Sequence, residues 1–198
     1  MRKLNEEIKK IKKIMGINEN LTPNLLYHGT IYDFDSFQSA NIGTGMGKDL
    51  HGYGIYFTDN KEIAEFYTSQ FPGNKSKFVY TVKLRTSGDF LEWETPIEEY
   101  QAHQIYKLFE RQYPHENMDD LSDALGLSEN YYGEHPLTFS IYDYLSVILG
   151  GKQKASELLS DCGIDGIRFN SKENGFDSTN YVIFDTGNVR IVDKEQLF

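Results

Sequence analysis

The sequence predicts an α+β domain in which strands on either side flank a helical segment. Apolar and polar residues alternate over 78–84, as they do in a half-buried strand. From about 96 to 160 the apolar residues recur three and four positions apart, which indicates helices. Strand patterns resume at 166. A length of 198 residues suits one such domain.

The part before the helical segment predicts short buried strands at 25–28 and 54–57 and a helix at 60–70. Asn60 suits the N-cap of that helix, because its side chain can accept a hydrogen bond from a first-turn amide. The inward face of the helix would carry Ile63, Ala64, Phe66 and Tyr67. Between the two strands, Phe34 and Phe37 are expected to pack inward.

The helical segment and the part after it predict four helices and three strands. We expect helices at 97–111, 119–125, 138–149 and 152–160, and strands at 166–169, 181–184 and 189–192.

Residues 3–15 predict an amphipathic helix, packed on the domain or on a partner, because four apolar residues follow helical spacing: Leu4, Ile8, Ile11 and Met15. A linker follows this helix. The chain is therefore divided into a terminal helix and linker at 1–20 and a domain at 21–198, with a helical insert at about 97–160.

Composition excludes several classes of function. The net charge of −10 argues against a broad electrostatic grip on nucleic acid, which needs clustered lysine and arginine. A single cysteine, Cys162, excludes an internal disulfide framework and suits a reducing compartment. The five histidines are scattered, so no metal is expected. No apolar run approaches the length of a membrane span, so we expect cytoplasmic action and no membrane partner.

Three segments of the first third carry the residues suited to chemistry. His28 and Gly29 lie on the first predicted strand, Tyr56 on the second, and Tyr67 follows Tyr56 by eleven residues on the helix. A tyrosine from each of two crossing elements can form a slot for a flat ring. Gly29, which has no side chain, would let the backbone beside this slot approach a carboxamide. The pattern favours a ligand such as nicotinamide.

The ordered series His28-Gly29-Thr30, Gly54-Ile55-Tyr56-Phe57 and Tyr67 resembles the NAD-binding signature of ADP-ribosyltransferases of the diphtheria-toxin and poly(ADP-ribose) polymerase type. It is most similar to the branch found in phage and mobile-element polyvalent proteins. The resemblance is dense over 25–70, returns over 163–192, and is loose between them. It implies a fold with two small twisted sheets around an NAD cleft, and NAD as substrate without a metal.

The resemblance also implies a role for each matching residue. His28 would hydrogen-bond the adenosine ribose and Gly29 the nicotinamide carboxamide. Tyr56 and Tyr67 would sandwich the nicotinamide ring. Asn180 stands at the third catalytic position of the family. Thr30 and Gly54, from the same motifs, complete the expected NAD-binding set.

Two departures from the family pattern affect the expected chemistry. Asn180 stands where the polymerases have glutamate, and an amide cannot take a proton, so single transfer is expected instead of polymer elongation. The proton is expected to pass to a nearby carboxylate, Asp177, or to be handled by the acceptor's own environment. Ala64 replaces a serine that would bind the carboxamide, at a cost of about 1 kcal/mol. Alternatively, Asn180 is a strand-start cap without chemical duty.

The segments beside the motifs predict further contacts. Phe176 and Asp177 lie in a stretch expected to meet the acceptor. Lys48 and His51, which follow the glycine-rich stretch at 43–47, are candidates for phosphate contacts. The loop lacks the preceding strand and following helix that a Rossmann fingerprint requires.

The resemblance implies mono-ADP-ribosyl transfer to a macromolecule in phage–bacterium conflict, as a toxin, a defence effector or a host-modifying factor. The acidic charge favours a protein acceptor over RNA or DNA. A catalytically weak module that binds NAD or ADP-ribose is the alternative of another class. The sequence leaves open whether an antitoxin or inhibitor covers the cleft.

Overall fold

The computed structural model describes residues 25–43, 50–71, 76–86, 88–114, 118–128, 136–173 and 175–197. The helix predicted at 3–15 and the segment 44–49 of the glycine-rich loop lie outside the described residues.

The structure has the predicted mixed α+β class. Its strands are β1 (Leu26–Thr30), β2 (Ile55–Thr58), β3 (Lys77–Leu84), β4 (Phe90–Glu92), β5 (Gly166–Glu173), β6 (Phe176–Ile183) and β7 (Val189–Leu197). Its helices are α1 (Lys61–Ser69), α2 (Glu99–Gln112), α3 (Met118–Ala124), α4 (Thr138–Ile148) and α5 (Lys152–Asp161). Each predicted helix and strand within the described residues is confirmed.

Four strands differ from the sequence prediction, and two of them, β5 and β7, simply run on past their expected ends at 169 and 192. β4 was not predicted, because its three residues are too few to show alternation. β6 begins at Phe176, five residues before the expected start at 181. Its early residues are polar or exposed because they pair with the far end of β5 in a hairpin that extends beyond the core.

The strands form one seven-stranded sheet in the order β4-β5-β6-β2-β1-β3-β7, so the prediction of two separate sheets is wrong. β4 and β5 are parallel and all other neighbours are antiparallel. The junction between β1 and β2 is a single paired position, Tyr27 opposite Thr58. By contrast, β1 and β3 pair at five positions. The sheet is therefore continuous, but barely joined at its centre.

The core is divided into two hydrophobic clusters. One lies between the insert helices and the β5–β6 part of the sheet, and includes Ile105, Phe109, Leu145, Leu159 and Ile167. The other gathers residues of β1, β2, β3 and β6, with Phe34 and Phe37 packed inward as predicted. The Phe34 ring stacks on Tyr80 at 4.3 Å between centroids.

None of the helices in the described ranges is both long and apolar enough to cross a bilayer.

Candidate active site

Helix α1 lies directly on β1, and Gly29 permits this contact. A Cβ at Gly29 would lie 1.8 Å from the backbone oxygen of Ala64 and 3.0 Å from Cγ2 of Thr68. Any side chain there would push the helix off the strand. The glycine is thus required by the protein's own packing, whereas sequence reasoning had explained it by the approach of a ligand.

The N-terminus of α1 is fixed as predicted. The Asn60 side chain accepts a hydrogen bond from the backbone N–H of Glu62 at 3.0 Å. This cap satisfies one of the first-turn amides that have no partner within the helix. It fixes where α1 starts, and therefore where Tyr67, two turns later, meets the sheet.

A cavity of about 690 Å³ lies along the seam between β1 and β2 and extends to α1, β5 and β6. This volume is within the range of roughly 300–1,000 Å³ typical of small-molecule sites. The cavity brings together the predicted catalytic and NAD-binding residues, all of which line it: His28, Gly29, Thr30, Gly54, Tyr56, Tyr67 and Asn180.

His28 bridges the two strands where their backbone pairing stops. Its Nδ1–H donates to the backbone oxygen of Tyr56 at 2.8 Å. Burial lowers the pKa of the imidazole, and the Tyr56 hydrogen bond opposes this only in part. The ring is therefore neutral near pH 7, and because Nδ1 holds the proton, Nε2 is a hydrogen-bond acceptor. The imidazole ring meets Phe37 edge to face, with 5.2 Å between ring centroids, and lies tilted against Phe57 at 5.7 Å.

The Tyr56 ring is held in position through its hydroxyl, which donates to the backbone oxygen of Gly52 at 2.9 Å. The same hydroxyl accepts from the backbone N–H of His51 at 3.1 Å. Gly52 has a φ of 119° and no room for a side chain, since a Cβ would lie 2.7 Å from Cδ1 of Ile167. The turn that fixes Tyr56 thus depends on glycine.

The helical insert supports this turn from behind through Tyr142. The hydroxyl of Tyr142 accepts from the backbone N–H of Tyr53 at 2.8 Å and donates to the backbone oxygen of Lys152 at 3.0 Å. It also lies 2.8 Å from Oγ of Ser156. Tyr142 is fully buried. A direct chain of hydrogen bonds therefore connects α4 and α5 to the turn beside Tyr56.

Tyr67 is paired with a carboxylate that sequence reasoning missed. Its hydroxyl donates to Oε1 of Glu173 at 2.7 Å. Burial raises the pKa of Tyr67 well above its usual value, and the adjacent carboxylate raises it further, so the phenol keeps its proton. Glu173 also lines the cavity. The alternation of β5 was the available signal, since it puts Phe169, Ser171 and Glu173 on one face.

Asn180 lies in the middle of β6, opposite Thr58 of β2 and Phe169 of β5, so the interpretation as a strand-start cap is wrong. The strand starts earlier because of its hairpin with β5. The Asn180 side chain is buried, and its Nδ2 donates to Oγ of Ser171 at 2.6 Å. The amide is thereby oriented beside the cavity.

The two residues expected to meet the acceptor lie at the β5–β6 hairpin and are not among the residues that line the cavity. Phe176 has 42% of its surface exposed. Asp177 is exposed, with Oδ1 3.5 Å from Nζ of Lys172. An acceptor role for both remains a prediction. The carboxylate that lies in the cavity beside Tyr67 is Glu173 instead.

His51 also lines the cavity, but as a stacked neutral ring. It stacks on Phe169 with 3.8 Å between centroids, and burial lowers its pKa. It can donate a hydrogen bond to a phosphate but brings no positive charge near pH 7. Lys48 lies outside the described residues. Within the described ranges, no three histidine, cysteine or acidic side chains come together as a metal site.

The chain matches the family model described as ADP-ribosyltransferase in polyvalent proteins, over residues 18–197. No curated protein sequence and no solved structure matches it. The family match covers nearly the whole chain and includes every residue that lines the cavity. The chain therefore belongs to the ADP-ribosyltransferases found in polyvalent proteins, NAD-dependent transferases whose substrate is NAD.

Proposed function

We propose that this enzyme transfers a single ADP-ribose unit from NAD to a macromolecule, releasing nicotinamide, and that the acceptor is a protein. We further infer that it acts in the cytoplasm in conflict between phage and bacterium, as a toxin, a defence effector or a host-modifying factor. The phage and mobile-element setting of the branch that the motifs resemble supports this role.

The observation that carries the proposal is the convergence of His28, Tyr56, Tyr67 and Asn180 on one cavity. Nε2 of neutral His28 can accept a hydrogen bond from the adenosine ribose. Tyr56 and Tyr67 offer two aromatic faces for the nicotinamide ring. The edge of β1 at Gly29 has no strand partner toward β2 in the described chain, which leaves backbone there to bind the carboxamide.

The reaction breaks the bond between the anomeric carbon and nicotinamide. Positive charge develops on the ribose, as in glycoside cleavage, and nicotinamide leaves with the bonding electron pair. The oriented amide of Asn180 can accept a hydrogen bond from a ribose hydroxyl and stabilise that charge through its carbonyl oxygen. Because an amide takes no proton, a single transfer is favoured over elongation.

The net charge of −10 supports a protein acceptor, because it disfavours a phosphate backbone. To test the acceptor, the purified protein is incubated with NAD labelled in its adenine ring and with bacterial lysate, and the products are digested with protease or nuclease. We expect the macromolecular fraction to carry the label and to lose it on digestion with protease. Label that resists protease and yields to nuclease would show a nucleic-acid acceptor and overturn this part of the proposal.

A further inference from the structure

Transfer requires a group that takes the acceptor's proton, and Asn180 cannot do so. An attacking hydroxyl, amine or water loses a proton as it bonds to the anomeric carbon, and general-base catalysis of such steps contributes roughly 10²–10⁴-fold. The asparagine amide does not titrate. A different group has to accept that proton, and a carboxylate that lines the cavity is suited to do so.

Two carboxylates are among the described residues that line the cavity, Asp33 and Glu173. Asp33 is already paired, since Nζ of Lys194 donates to its Oδ1 at 2.5 Å. Glu173 makes no ion pair with any residue of the described ranges, and its hydrogen bond there comes from the neutral phenol of Tyr67. Of the two carboxylates, Glu173 is therefore the one without a lysine or arginine partner in the described part of the chain.

The hydrogen bond to Tyr67 fixes the direction of Glu173. The phenol is the donor, so Oε1 of the carboxylate is an acceptor and Oε2 remains available to a second donor. Tyr67 is also one of the two tyrosines proposed to hold nicotinamide. The carboxylate of Glu173 is thus held next to a residue proposed to bind the leaving ring.

Glu173 and Asn180 face the cavity along the same pair of strands. Ser171, which accepts the hydrogen bond from Asn180, lies on the same face of β5 as Glu173 and two residues away, about 7 Å along the strand. The amide and the carboxylate therefore line the same cavity from neighbouring positions on the β5–β6 pair.

We propose that Glu173 is the general base of the transfer and supplies the proton-accepting function that Asn180 lacks. This inference rests on the proposed function of the same cavity. The bond from the anomeric carbon to nicotinamide breaks, and the electron pair leaves with nicotinamide. The acceptor X–H forms the new C–X bond, and its proton passes to the carboxylate of Glu173.

Glu173→Gln tests this role directly, because glutamine keeps the shape and can still accept the Tyr67 hydrogen bond, but cannot take a proton. Nicotinamide release from NAD is measured with water as the nucleophile and again with sodium azide. Azide is an anion without a proton to lose, so it needs no base. We expect release in water to fall about a hundredfold and azide to restore it, with ADP-ribosyl azide detected by mass.

Glu157→Gln on α5 is the matched control, because it removes the same charge from an exposed helix surface. It should leave release in water unchanged. NAD affinity, measured by calorimetry, and thermal unfolding separate lost catalysis from lost structure. Both should be close to the parent values in Glu173→Gln.

Three results would overturn the inference, each for a different reason. Undiminished release by Glu173→Gln in water would show that the carboxylate takes no proton. Loss of release without rescue by azide would show that Glu173 acts on the structure or on the cation instead. No release by the parent protein, with water or azide, would overturn the proposed function itself.

Discussion

At the scale of single residues, the site depends on groups whose hydrogen bonds fix both orientation and protonation. His28 donates through Nδ1 and is kept neutral by burial, which leaves Nε2 as an acceptor. Tyr56 is held at its hydroxyl by the turn at 51–52. Such preorganised groups are what catalysis by positioning requires, because little reorganisation remains when the substrate binds.

Tyr56→Ala should abolish nicotinamide release, because it removes one of the two faces proposed to hold the leaving ring. Tyr56→Phe is the matched control: it keeps the ring and loses only the hydroxyl contacts to the turn, so activity should fall about tenfold, the equivalent of about 1.4 kcal/mol. Chromatography of free nicotinamide measures both. Full activity in Tyr56→Ala would refute the assignment of Tyr56 to the ring site.

Protonation of His28 should destabilise the protein in acid. Its pKa is lowered in the folded state, so the neutral form is favoured there, and the resulting stability is present above the unfolded value of about 6.5 and is lost as pH falls through the folded pKa. The free energy of unfolding, measured in urea at pH 7.5 and 5.5, should therefore drop. His28→Gln should show a smaller drop, and an equal drop would contradict the argument.

At the scale of elements, the weak junction of β1 and β2 opens the site, and the packing of α1 closes one side of it. One paired position joins the two parts of the sheet, and the His28 side chain bridges them next to it. The insert helices act on the same region through Tyr142. The insert thus supports the site, although none of its described residues lines the cavity.

Tyr142→Phe should destabilise the fold by about 1–3 kcal/mol, because it removes the hydroxyl that accepts from the partly buried backbone N–H of Tyr53 and donates to the backbone oxygen of Lys152. Tyr53 follows directly on His51 and Gly52, whose backbone groups hold the Tyr56 hydroxyl, so the change should disturb Tyr56 and the KM for NAD should rise. Urea denaturation and steady-state kinetics check the two effects. Tyr106→Phe is the matched control, because its hydroxyl has no hydrogen bond within the described part of the chain, and it should change stability little.

Gly29→Ala should also disrupt α1, since the added methyl would lie 1.8 Å from the Ala64 backbone oxygen. Overpacking of this kind costs about 1–3 kcal/mol. The helix would have to move, and Tyr67 with it, so both the free energy of unfolding and NAD affinity should fall. A variant with parent-like values of both would show that the helix does not need this close contact.

At the scale of the whole molecule, the sequence predicts the α+β class, the helices and most of the strands, because periodicity is a local property of the chain. The joining of two expected sheets could not be predicted, since one pairing at Tyr27 decides it. The alternation of β5 could place Glu173 on a face of the strand, but its hydrogen bond to Tyr67 could not be predicted, because more than one hundred residues separate the two. Long-range contacts of this kind leave no local pattern.

The central claim is that the protein cleaves NAD in the cavity that Tyr56 and Tyr67 line. The most direct measurement is the amount of free nicotinamide released over time when the purified protein meets NAD alone. The account predicts steady release in the parent protein and none in Tyr56→Ala. A folded parent protein that releases no nicotinamide would contradict it.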